Sequence, residues 1–249
     1  KHGIFNIDDK HYKDMVKNAT CTVETFGMST DADLRDTNIS LLKKAGVIGI
    51  SYDLEGSINM PVEIDIPGKF NVYNTLTAIA VCRHFTKDLD LMKKVLMDIR
   101  VRGRVEIVDV SPKFTLMIDY AHNAMSLESL LLSLKEYNPK RIVTLFGCGG
   151  NRSKDRRFEM GEVSAKLSDL TIVTSDNPRF EKPQDIIDDI ITGVKRGDGK
   201  YITIIDRREA IKYAIENGEE GDVIVLAGKG HEDYQEIEGK KYPMDERVI

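Results

Sequence analysis

Asp176, Asn177, Pro178 and Arg179 put a carboxylate, a carboxamide and a guanidinium within four consecutive residues. They follow an apolar run over 170–174, and a helical pattern starts soon after, at Pro183. In open α/β sheets ligands bind in the crevice beyond the carboxyl ends of the strands. An arginine there can grip a carboxylate through two parallel hydrogen bonds, and an aspartate complements an ammonium. Together they suit the two charges of a zwitterionic amino-acid end. Alone, the same quartet reads as a polar turn with a surface arginine.

Two more loops of this kind flank it. The apolar run 141–146 opens into Gly147-Cys148-Gly149-Gly150-Asn151-Arg152, and the run 222–227 opens into Gly228-Lys229-Gly230-His231-Glu232. Glycines directly after a buried strand permit close backbone approach or positive φ. Three such loops after three strands of one parallel sheet share one rim. Cys148 reads as a small filler of its turn, since no activating base stands beside it in sequence. Lys229 and His231 receive no role.

The elements that position these loops follow from pattern. Residues 1–102 read as mixed α/β: a strand over 3–7, a helix over 9–19, a strand over 21–26, and an antiparallel meander over 34–66 broken by Gly46, Gly49, Gly56 and Pro61. Asn71 then caps a helix reaching about 85, and another helix covers 89–99. The junction is placed at Arg102-Gly103-Arg104. Residues 103–249 alternate regularly: strands at 105–110, 114–119, 141–146, 170–174, 201–205 and 222–227, with helices near 126–137, 158–167, 184–194 and 207–217. Single helices between strands imply a Rossmann-like, mostly parallel, doubly wound sheet. No terminal element is evident near 245–249.

Composition excludes several classes. Of 249 residues, 41% are hydrophobic and 31% charged, with a formal net charge of −5, which gives no support to nucleic acid as a partner. Lys154, Arg156 and Arg157 read as a solvated helix start. Three widely spaced cysteines form neither a metal-ligand pattern nor a disulfide framework, so a cytoplasmic setting is expected. No apolar run reaches spanning length, so no membrane insertion is expected. The phosphate-binding pattern G-x-x-x-x-G-K-[ST] does not occur. A start at Lys1 without methionine, and an end without an evident element, read as a piece of a longer protein.

The three loops, with Gly68-Lys69-Phe70-Asn71-Val72-Tyr73-Asn74, Arg102-Gly103-Arg104-Val105-Glu106 and Asp119-Tyr120-Ala121-His122, resemble in consistent order the Mur ligase family, within it the members that add the third peptide residue. The resemblance implies the end of a mixed α/β central ATPase domain followed by the C-terminal amino-acid-binding domain. It implies ATP-dependent amide ligation, in which meso-diaminopimelate joins UDP-N-acetylmuramoyl-L-alanyl-D-glutamate through an acyl phosphate. ATP contacts are implied at Asn71, Asn74, Arg104, Asp119 and His122, and diaminopimelate contacts at Arg152, Asp176, Asn177, Pro178, Arg179, Gly228 and Glu232. Mg²⁺ is implied, with its ligands mostly outside the chain, and no residue is assigned as catalytic. The chain departs from the family at Asn123-Ala124, where Thr-Pro is usual, and at Asn151, where Asp is usual. Alternatives remain: a lysine-adding or folylpolyglutamate-type ligase, or, for the chain alone, a non-catalytic amino-acid- or nucleotide-binding module.

Overall fold

The computed structural model describes residues 1–44 and 47–249, so the expected break at Gly46 lies outside the described residues. The chain forms two compact units, Lys1–Ile99 and Arg100–Ile249.

In the first unit β1 (His2–Asn6), β2 (Thr22–Gly27), β3 (Leu34–Lys44), β4 (Val47–Gly56) and β5 (Met60–Ile64) form one sheet in sequence order. β1, β2 and β3 pair in parallel, with α1 (Tyr12–Val16) between the first two, and β3, β4 and β5 make the antiparallel meander. Between Thr37 and Ser40 the β3–β4 register shifts, and Asn38 takes φ +55°, a bulge suited to a short polar side chain. Alternating residues Ile50, Tyr52, Leu54, Val62 and Ile64 pack against Val72, Leu76 and Ile79 of α2 (Phe70–Cys82) and Met92 and Leu96 of α3 (Leu89–Asp98). The buried Tyr52 hydroxyl is satisfied by Thr75 Oγ1 at 2.8 Å.

The helix start differs from expectation. The N-cap position of α2 falls on Lys69, and Asn71 lies inside the first turn. Gly68, at φ +98°, turns the chain early enough to begin the helix at Phe70. Asn71 Nδ2 donates back to the Pro67 carbonyl at 2.8 Å.

The second unit holds a six-stranded sheet with spatial order β10-β9-β8-β11-β7-β6. Its strands are β6 (Glu106–Val108), β7 (Thr115–Asp119), β8 (Arg141–Phe146), β9 (Leu170–Val173), β10 (Lys200–Thr203) and β11 (Asp222–Ala227). Every pairing is parallel except β6 with β7. One face, carrying Leu116, Val143, Leu145, Ile172, Ile224 and Leu226, packs on Ala210, Ile211 and Ala214 of α7 (Arg207–Glu216). Strand alternation turns Thr171 to the other face, where its hydroxyl meets Ser164 of α5 (Asp155–Leu167) at 2.7 Å. There α5 packs between α4 (Ala124–Lys135) and α6 (Pro183–Val194). Asn123 caps α4, its Oδ1 accepting the Ser126 amide at 2.9 Å. Among the described residues no helix is long and apolar enough to cross a membrane.

After β11 the chain does not trail off. A hairpin of β12 (Tyr234–Ile237) and β13 (Lys240–Pro243) leads to a 3-10 turn, Glu246–Val248. Glu238 and Gly239, both at positive φ, make the tight connection that matches strand twist. Ion pairs fasten the turn. Arg207 and Glu246, both with fully buried side chains, meet at 2.7 Å, and Arg247 binds Glu106 at 2.5 Å and Asp245 at 2.9 Å.

These pairs have measurable consequences. Glu246→Ala leaves a buried guanidinium unpaired and should cost on the order of 3–5 kcal/mol in urea unfolding; a loss below about 1 kcal/mol, typical of a surface pair, would contradict that role. The Arg247 guanidinium holds the Glu106 carboxyl below its ordinary value of 4.5. Because the folded value is the lower one, the pair's contribution is complete above the unfolded value and is lost as pH falls through the folded one. The stability gap between the parent chain and Glu106→Gln, about 1–2 kcal/mol, should therefore hold near neutrality and close in acid. An equal gap at pH 7 and pH 3 would be inconsistent with this linkage.

Candidate functional site

β9, β8 and β11 are neighbours in the sheet, so the loops that leave their carboxyl ends emerge side by side. Parallel strands make this automatic, because every strand presents the same end to the same rim. The Gly150 amide donates to the Asn177 carbonyl at 2.9 Å, joining the loop after β8 to the loop after β9. Only a residue without a side chain fits there, since a Cβ on Gly150 would sit 1.9 Å from the Pro178 carbonyl oxygen.

Lys229 joins the loop after β11 to the same group. Its side chain is completely buried, and Nζ lies 3.1 Å from Asn177 Oδ1, 3.3 Å from Glu232 Oε2 and 3.7 Å from Asp176 Oδ1. Glu232 Oε2 also accepts from Asn177 Nδ2 at 2.8 Å. Asp176 and Asn177 are themselves buried, and Gln235 Nε2 donates to the Asp176 carbonyl at 2.6 Å. Gly228, at φ +106°, brings its backbone beside Asp176. Sequence reasoning passed over Lys229. Its one signal was a lone lysine between two glycines after a wholly apolar strand.

Arg179 sits over the backbone of Gly149, and Arg152 borders the same glycine. Arg179 Nη1 donates to the Gly150 carbonyl at 2.8 Å, and Nε pairs with Glu236 Oε2 at 3.0 Å. Its φ of +51° is uncommon for a residue with a side chain. Two backbone bonds to the hairpin hold it there: Arg179 N to Glu236 O at 3.0 Å and Glu238 N to Arg179 O at 2.8 Å. The arginine expected to face a ligand is thus aimed by β12, an element the sequence reading did not contain. Pro178, buried behind it, stiffens the loop.

The glycine loop has support from an unexpected side. Arg157, expected on a solvated helix start, is 1% exposed and pairs with Asp189 of α6 at 2.8 Å and with Glu181 at 2.8 Å. Arg157 holds the Glu181 carboxyl below its usual range, and that carboxylate also takes the Asn151 amide. Cys148 is buried, and burial pushes its thiol up to about 12, consistent with a filler rather than a nucleophile.

At the end of the adjacent β7, Asp119 Oδ2 accepts the Val105 amide at 2.8 Å and Oδ1 accepts the Ala121 amide at 2.7 Å. Burial raises the Asp119 carboxyl above its ordinary value, against those two amides and the Arg104 charge. The Val105 bond sustains φ +47°, strained for a β-branched residue, and thereby sets the direction of Arg104. The Arg104 guanidinium lies 4.9 Å from the centre of the Tyr120 ring, with His122 at 4.7 Å and His231 at 4.9 Å from that ring. His122 Nδ1 lies 2.9 Å from the Tyr120 carbonyl oxygen. The segment 228–232 therefore serves two neighbourhoods, with His231 against the tyrosine and Glu232 against Asn177. Asn71 and Asn74 belong to the first unit, where Asn74 Nδ2 donates to Asn71 Oδ1 at 2.9 Å on the opening turn of α2.

Comparison with known proteins bears on the whole arrangement. Residues 1–82 match the Mur ligase middle domain, and residues 103–230 match the glutamate ligase domain of Mur ligases. The chain is 40% identical over 252 residues to UDP-N-acetylmuramoyl-L-alanyl-D-glutamate–2,6-diaminopimelate ligase 1 of Clostridium acetobutylicum, covering 100% of the chain and 51% of that protein. It is 41% identical over 252 residues to the similarly named ligase of Alkaliphilus oremlandii, covering 99% of the chain and 51% of that protein. A solved structure of a UDP-N-acetylmuramoyl-L-alanyl-D-glutamate–2,6-diaminopimelate ligase superposes with a TM-score of 0.70 at 31% identity, over 100% of the chain and 52% of that structure. The chain spans about half the length of the curated relatives it matches. Its second unit is matched through most of its length and its first through four-fifths, in the order in which the two occur, so the chain belongs to the Mur ligase family.

Proposed function

We propose that the chain is part of a cytoplasmic, ATP-dependent amide ligase that adds meso-diaminopimelate to UDP-N-acetylmuramoyl-L-alanyl-D-glutamate in peptidoglycan synthesis. The observation that carries this reading is the rim where Arg179 and Arg152 stand beside Asp176, Asn177 and Glu232, with the relatives' names supplying the substrates.

meso-Diaminopimelate has two amino-acid ends. One amine must attack the activated carboxyl of the dipeptide, so the other end is free to be held. Arg179, with Arg152 beside it, offers guanidinium donors for the distal carboxylate. Glu232 and Asp176 offer acceptors for its ammonium, and their excess charge is limited by Lys229. Asn177, fixed by Lys229, Glu232 and the Glu236 amide, sets the spacing between them. The Gly228 backbone and Pro178 complete the wall. These groups bind and orient; bond formation then depends on placing the amine against an acyl phosphate.

For the nucleotide we assign Arg104 to the phosphates, Asp119 to the ribose hydroxyls through the lone pairs its amides leave open, and His122 to the same neighbourhood. Asn71 and Asn74 are assigned to the base. Mg²⁺ favours oxygen ligands and usually keeps several waters. The one group of three metal-type ligands found among the described residues, His2, Glu24 and His84, contains two imidazoles and does not fit it. In line with the family resemblance, we assign Mg²⁺, which would neutralise phosphate charge, mostly to ligands outside this chain, together with the phosphate-binding loop.

L-Lysine lacks the distal carboxylate, so it would leave Arg179 without its ligand bond. Sites built around such a bond discriminate by roughly 10⁴-fold. In the full-length ligase, kcat/KM for lysine should fall short of that for meso-diaminopimelate by about this factor, and Arg179→Ala should lower kcat/KM for diaminopimelate by ~10²–10³-fold with little change in KM for ATP. Equal use of lysine, or an Arg179→Ala enzyme with unchanged diaminopimelate kinetics, would refute the assignment.

A further inference from the structure

The first unit contains a compact group of ligand atoms near the carboxyl end of α2. Glu24, on β2, has a side chain only 12% exposed, and both of its oxygens are engaged by imidazoles. His2 Nδ1, at the start of β1, lies 2.6 Å from Oε1, and His84 Nε2, just after α2, lies 3.0 Å from Oε2. The two rings face each other at 4.6 Å between centroids with a 39° tilt. The ligand atoms of the three residues all lie within 4.8 Å of one another.

Two imidazoles and a carboxylate are a donor set for zinc and its neighbours in the first transition row, not for calcium or magnesium. Tetrahedral zinc holds nitrogen and oxygen donors at about 2.0–2.2 Å, and hence about 3.3 Å from each other. An ion at that spacing would require the two partly exposed histidine side chains to turn from the Glu24 oxygens they now contact, at 2.6 and 3.0 Å, toward a shared point. A fourth position remains for water. Arg83, whose guanidinium pairs with Glu24, plays the part of the outer hydrogen-bond partner that orients a ligating carboxylate. Its charge opposes a cation, which weakens binding relative to closed structural sites. His84 and Arg83 also line a surface cavity of about 640 Å³ with Ser57, Asn59, Thr86 and Lys87, so the His84 side of the group faces open space.

We propose that His2, Glu24 and His84 form a binding site for a divalent transition-metal ion of the zinc class. The site ties the first strand, the second strand and the end of α2 together, closing a loop of some eighty residues. It is separate from the proposed nucleotide residues, because α2 alone puts about 20 Å between Asn71 and His84. Nothing in this proposal depends on the ligase reading.

The test is calorimetric titration of zinc chloride into the untagged, chelator-stripped chain carrying Cys21→Ser and Cys82→Ser, so that thiols contribute nothing. One equivalent should bind saturably and raise the melting temperature. His84→Ala and Glu24→Gln should each weaken binding by at least about 10-fold, His11→Ala should leave it unchanged, and millimolar Mg²⁺ should not displace the zinc. The proposal fails if no saturable equivalent binds, or if His84→Ala and Glu24→Gln bind zinc as tightly as the parent. It also fails if His11→Ala weakens binding as much as they do, or if Mg²⁺ competes.

Discussion

A lysine ammonium with no exposure to water must find its partners inside the protein, and Lys229 finds all of them on the loops of the candidate site. A buried charge left unpaired costs several kcal/mol, so the positions of Asp176, Asn177 and Glu232 are not independent of one another. Asn177 extends the constraint outward, bonding Glu232 on one side and the Glu236 amide on the other. Glu236 in turn holds Arg179. A single buried cation thus coordinates both acidic groups of the rim and, through one carboxamide, the neighbourhood of its arginine.

The same rim contains three of the second unit's residues with unfavourable backbone. Asn151, Arg179 and Val105 all have φ near +50°, and each is held by hydrogen bonds from another segment: Asn151 by Glu181, Arg179 by β12, Val105 by Asp119. Strain of this kind persists only where surrounding structure over-determines it. The supports are the carboxylates of Glu181 and Asp119 and the backbone of β12. Arg157, Glu181 and Glu236 are tied in turn by the ion pairs of Arg157 with Glu181 and of Glu236 with Arg179.

Much of this was legible in the sequence. The apolar runs 141–146 and 222–227 are the strands β8 and β11 with the same bounds, and the alternation of strands and helices gave the mixed α/β class and the parallel sheet. From parallel strands, the meeting of three loops at one rim follows by geometry. What escaped was what depends on partners distant in the chain. Arg157 looks like a surface residue because its partners stand 24 and 32 residues away. The β12–β13 hairpin is half-exposed and lacks an apolar stripe, so only Glu238-Gly239 between two short runs signalled it. Asn71 suits a cap by type, but the turn at Gly68 puts the N-cap two residues earlier, at Lys69.

The central claim is that the rim formed by 147–152, 175–179 and 228–232 holds the distal, zwitterionic end of a diamino acid. A crystal structure of the whole protein soaked with meso-diaminopimelate tests it most directly. The expected result is ligand density with one carboxylate within hydrogen-bond distance of the Arg179 guanidinium and the adjoining ammonium facing Glu232 or Asp176. Density for diaminopimelate elsewhere, or a pose in which neither charged end meets these residues, would contradict the account.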